Sequence, residues 1–158
     1  MMTKINTQLK RTLLSASLVS TMMTASAAVP PSQAAANPLL QRSGLLFSAP
    51  DFRKIKTPDY LPAIQEAIRQ QRAAIKRITA NKKPATFANT ILALEKSGEL
   101  LDRVTSVFYG LASADRTPEI AAIEKEATPM LTDLQNEISF DAKLFARVKY
   151  VYRNEYKK

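Results

Sequence analysis

Between positions 84 and 114, apolar residues recur in steps of three and four. Phe87, Ile91, Leu94, Leu101, Val104, Phe108 and Leu111 trace one face of a helix, with Gly98 filling the gap after Leu94. Glu95, Glu99, Asp102 and Ser106 trace the opposite face, and Leu92, Leu100 and Val107 widen the apolar stripe. Thr86 is suited to cap the start. The pattern predicts one long amphipathic helix packed on more than one neighbour, with the rest of the chain organised around it. Gly98 either lets a second backbone cross closely or breaks the segment into two helices.

The same periodicity marks three more helices. Thr57-Pro58-Asp59 is a start signal, with Thr as cap, Pro in the first turn and an acid at the positive end of the dipole. Leu61, Ile64, Ile68, Ile75 and Ile78 follow on one face, with Ala67 and Ala74 beside them. Arg77, Asn81 and Pro84 form a stop, and the short connection makes this helix an antiparallel neighbour of the next. Thr117-Pro118-Glu119 opens a further helix buried through Ile120, Ile123, Ala127, Met130, Leu134 and Ile138. Pro129 inside it predicts a kink, or two helices end to end. Asp141 caps a last helix, expected to turn Leu144, Phe145, Val148, Val151 and Tyr152 inward. The prediction is an all-α fold of about four antiparallel amphipathic helices, at least one kinked, over residues 57–158. No Gly, Pro or cap follows the last apolar residue, which predicts that the pattern continues beyond Lys158.

The start of the chain reads differently. Lys4, Lys10 and Arg11 precede a modestly apolar stretch from Thr12 to Met23, and Ala25-Ser26-Ala27 fits a small-x-small cleavage site. Residues 1–28 are therefore expected to be a signal peptide for the general secretory route, which places the mature chain in the periplasm or outside the cell. No membrane anchor is expected after cleavage. Residues 29–56 form a linker, broken by Pro30-Pro31, and then an extended segment. Leu39, Leu40, Leu45, Leu46, Phe47, Phe52 and Ile55 are expected to drape that segment over the helices.

Charge and composition narrow the chemistry. The chain of 158 residues carries a net +9, or +6 without the three leader cations, and some of it clusters at Arg69, Arg72, Lys76, Arg77, Lys82 and Lys83. No groove-reading motif or interleaved aromatic accompanies that cluster, so a solvated face is expected and no nucleic acid. There is no cysteine and no histidine, which removes thiolate chemistry, the Ser-His-Asp arrangement and the usual zinc ligands. Glu95, Glu99 and Asp102 share a helix face but point away from the apolar stripe. Glu99 is spaced to pair with Arg103. Asp133 and Glu137 repeat that arrangement, while Glu124 and Glu126 diverge. No catalytic, cofactor-binding or metal residue is therefore assigned.

Six short motifs carry a resemblance. They are Asn37-Pro38-Leu39-Leu40, Ala49-Pro50-Asp51-Phe52-Arg53-Lys54-Ile55-Lys56 and Asp59-Tyr60-Leu61-Pro62-Ala63, then Thr86-Phe87-Ala88-Asn89-Thr90, Leu94-Glu95-Lys96-Ser97-Gly98 and Leu144-Phe145-Ala146-Arg147-Val148-Lys149. In this order they resemble the N-terminal part of the thimet oligopeptidase family of zinc metallopeptidases, most of all its bacterial peptidyl-dipeptidases, with oligopeptidase A as the nearer relative to exclude. The resemblance implies a helical, two-lobed peptidase whose deep channel admits short peptides and which releases dipeptides from peptide C-termini. Its zinc sits on a His-Glu-x-x-His helix and a downstream Glu. None of that motif is present, so no zinc ligand transfers to this chain. The segment is expected to wall the channel and to need the remainder of the catalytic lobe as its partner. The other reading from the residues is a free-standing exported helical module that binds through its basic face.

Overall fold

The computed structural model describes residues 37–156; the expected signal peptide and the first part of the linker lie outside them. Every regular element among the described residues is helical.

Helix α1, Tyr60–Thr79, follows a 3₁₀ turn over Thr57–Asp59. The expected cap at Thr57 is displaced. The Asp59 carboxylate instead accepts the Lys56 backbone N–H at 2.7 Å, which leaves Pro58 in the turn ahead of the helix and Pro62 in its first turn. Thr86 opens the second helical stretch as anticipated. Its hydroxyl accepts the Asn89 N–H at 3.2 Å, and Asn89 Oδ1 accepts the Thr86 N–H at 2.9 Å. This reciprocal pair satisfies two amides that a helix start leaves open.

The stretch then runs as a π-helical segment, Phe87–Leu92, into α2, Ala93–Ser97. Gly98 breaks the path, and α3, Glu99–Ala114, continues beyond it. The long apolar stripe thus belongs to two helices in series. Helix α4, Pro118–Ser139, is capped by Thr117, whose hydroxyl accepts the Ile120 N–H. It passes through Pro129 without dividing, so the two-helix expectation is not met. Pro129 lies on the exposed face. There water can satisfy the carbonyl that its missing N–H leaves unbonded. Helix α5, Ala142–Val151, begins at Asp141, which accepts the Lys143 and Leu144 amides at 2.8 and 2.9 Å.

The hub is α1 rather than the stretch at 84–114. It packs against each of α2, α3, α4 and α5. Ala63 and Ala67 keep its side chains short where α3 and α4 approach, and Ile64 and Ile68 fill the space between. The Tyr60 and Phe108 rings meet at 5.4 Å, while Ile75 and Ile78 meet Ala93 and Leu94. Opposite ends therefore touch, and α1 is antiparallel to the α2–α3 stretch. Ile138 packs beside Ile75 and Ile78, and Arg72 bonds Glu137, so α4 returns alongside α1 in the same direction. Phe108, Val104, Ile64 and Ala127 are completely buried. Each large apolar side chain so buried contributes roughly 1.5–3 kcal/mol.

Two expectations about burial fail. Of the draped anchors, only Leu39, Leu40 and Ile55 reach the core. Leu45, Leu46, Phe47 and Phe52 are exposed, Phe47 entirely. On α5, Leu144 and Val151 are buried, but Phe145, and Tyr152 just after the helix, face outward at 63% and 55% exposure. Helix α5 rests on a narrow contact with α1 and the start of the second stretch, so only one side of its stripe is covered.

Candidate functional site

Three polar joints hold the helices in this arrangement. The Asn37 side chain accepts the Leu39 N–H at 3.0 Å and donates to the Asp59 carbonyl at 2.8 Å, tying the entering segment to the start of α1. Arg103 on α3 donates to the carbonyls of Leu40 and Gln41. Arg147 on α5 donates to the Asn81 carbonyl at 2.8 Å, the Lys83 carbonyl at 3.3 Å and Asn89 Oδ1 at 2.8 Å. Asn89 Oδ1 also accepts from Thr86 and Thr90. Motifs far apart in sequence thus meet: Asn37 with Asp59, and Arg147 with Asn89.

A cleft of about 400 Å³ lies between the 38–55 segment and α3. Arg42, Arg53, Lys54 and Arg103 line it, with Asp51 as its one acid. Asp51 pairs with Arg53 at 2.9 Å and Lys54 at 3.6 Å. The Arg53 hydrogen bond holds its carboxyl below the usual range, and Asp51 in turn raises Arg53. Arg103 goes the other way. Partial burial, and then the nearby Arg42 charge, depress it from the ordinary arginine value. Its anticipated pair with Glu99 gives way to the backbone carbonyls.

The carboxylates singled out from the sequence do not converge. Glu95, Glu99, Asp102 and Asp133 are exposed on their helices. Glu124 pairs with Arg116 at 2.6 Å, and Glu137 makes two bonds to Arg72 at 2.7 and 2.9 Å. Among the described residues no three acids, histidines or cysteines gather as a metal site. The basic cluster is exposed as expected, but Arg69 is engaged by Glu66 at 2.7 Å and Arg72 by Glu137. The cleft was missed because its cations come from separate segments that look unrelated along the chain.

No family model matches the chain. It is 43% identical to dipeptidyl carboxypeptidase of Escherichia coli (strain K12) over 117 residues, which is 74% of this chain. It is 41% identical to the Salmonella typhimurium (strain LT2) protein of the same name over 120 residues, or 76% of the chain. Over these residues the chain is similar to members of the thimet oligopeptidase family. Oligopeptidase A of Salmonella typhimurium is more distant, at 30% over 97 residues, or 61% of the chain and 14% of that protein. The match spans only 17% and 18% of the two dipeptidyl carboxypeptidases. The matched stretch is therefore a small part of those relatives.

Proposed function

We propose that the chain acts as one part of an exported peptidyl-dipeptidase. Its helices wall the channel that admits short peptides, and the catalytic zinc is held by another part of the enzyme. One observation carries this reading. Phe47, Leu46, Phe140 and Phe145 stand 63–100% exposed on a segment whose named relatives are several times longer. Large apolar side chains left in water in this number suit surfaces that further parts of a longer protein cover. The dipeptidase specificity comes from the relatives' name. Export comes from the leader pattern in the sequence.

The test is complementation. The purified chain is mixed or co-expressed with a dipeptidyl carboxypeptidase lacking the matching residues, and dipeptide release from a short blocked peptide is followed with zinc and with chelator. Chelator-sensitive release only in the mixture supports the proposal. Release by the chain alone, or none in the mixture when both parts are folded, refutes it. Recovery of the cleaved chain in the periplasmic fraction tests export. The alternative, a free-standing module binding through its basic face, predicts tight association with an acidic partner that is lost when Lys82 and Lys83 are neutralised.

A further inference from the structure

Arg103 is half-buried, and among the described residues its charge pairs with no carboxylate. Its guanidinium is spent on the Leu40 and Gln41 carbonyls, which stabilise the donors without neutralising the ion. Arg42 stands close enough to act on it. The only acid lining the cleft among the described residues, Asp51, is already shared by Arg53 and Lys54. The cleft therefore holds four cations against one carboxylate in a recess of about 400 Å³. A positive charge partly removed from water and facing a like charge is unfavourable unless an anion enters. Guanidinium groups present forked donors that match the oxygens of carboxylates and phosphates. Val107 and Leu45 supply an apolar wall beside them.

We propose that this cleft is a binding site for an oxyanion, the carboxylate or phosphate of a small ligand, centred on Arg42 and Arg103. Arg103 is fixed by the carbonyls and supplies the half-buried charge. Arg42, on the rim, closes over the anion from the other side. The site does not depend on whether the chain serves a peptidase, because it is built entirely from residues 38–55 and one face of α3.

The experiment follows the arginine side-chain Nε–H signals of the purified chain during titration with inorganic phosphate and, separately, with acetate. Sodium chloride at matched ionic strength is the control. Saturable shifts of Arg103 and Arg42 with either oxyanion, absent with chloride, are expected, and the tighter probe identifies the ligand chemistry. Because Arg103 also ties down the 38–41 segment, the decisive variant is the exposed Arg42→Gln. It should weaken binding about tenfold, the worth of one charge-assisted contact, with the circular dichroism unchanged. Lys82→Gln, on the basic face of the other end, should change binding less than twofold, within about the scatter of a screened surface charge. Shifts that spread equally over all surface arginines, equal shifts with chloride, or full binding by Arg42→Gln would overturn the proposal.

Discussion

Replacing Arg147 by Met tests whether α5 is held by its polar joint or by packing alone. Met preserves most of the aliphatic stem and removes three bonds, to Asn81, Lys83 and Asn89. Bonds from a charged donor contribute about 1.5–3 kcal/mol each when well formed. The 3.3 Å bond to Lys83 is long and exposed and adds little. Asn89 Oδ1 keeps its Thr86 and Thr90 partners, so that acceptor is not orphaned. The substitution also removes the Arg147 Nε, a buried donor with no partner, which returns about 1 kcal/mol. The net loss is therefore about 2–5 kcal/mol, mostly from the Asn81 carbonyl and the ion's bond to Asn89. Urea unfolding followed at the helical dichroism band measures it, with Asn89→Ala and the double variant completing a cycle. A coupling energy of about 1 kcal/mol between the two positions is expected. A loss below about 0.5 kcal/mol, or strict additivity with Asn89→Ala, would show that α5 is seated by Leu144 and Val151 alone.

Gly98→Ala should stabilise the chain by about 0.5–1 kcal/mol, because its backbone is already right-handed and an added Cβ meets Gln71 and Asp102 at ordinary contact, 3.4 Å; destabilisation in a thermal melt would mean that the break is required. Phe108→Ala should cost about 3–5 kcal/mol, since the ring is completely buried against Tyr60, and loss of the cooperative transition is the readout. Phe47→Gly should stabilise by about 1 kcal/mol, as its φ of 57° is left-handed and its side chain touches solvent only; an unchanged midpoint would argue that the residue carries no strain. Glu66 is held below its ordinary value of 4.5, first by the Arg69 hydrogen bond. A depressed folded-state value contributes stability above 4.5 that fades as pH falls through the lower folded value, so Glu66→Gln should flatten the acid limb of a stability profile, and an unchanged limb would refute the pairing.

The helices were legible because their signals are local. Thr86, Thr117 and Asp141 each cap where side-chain chemistry and spacing place them, and Gly98 breaks the long stripe where a residue without Cβ stands. Periodicity also identified Ile64, Ile68, Val104 and Phe108 as core. It could not say which stripe lacks a partner, so Phe145, Tyr152, Leu46 and Phe47 were assigned inward when they face water. Apolar character licenses burial only where a neighbour exists to bury against. The hub was misassigned for a related reason. A 20-residue helix with alanines at its crossing points is a quieter signal than a long run of large residues, yet small side chains are what let several helices approach it. Arg103 and Arg147 were invisible as joints, because most of their acceptors are backbone carbonyls more than 60 positions away.

Since α1 touches each of the other four helices, none of them can detach in pairs and keep a shared interior. The middle of α1 should therefore exchange its amide hydrogens only when the whole molecule opens, while residues 45–48, bonded across a single short turn, exchange almost freely. Protection would then fall off with distance from one helix rather than from one end of the polypeptide.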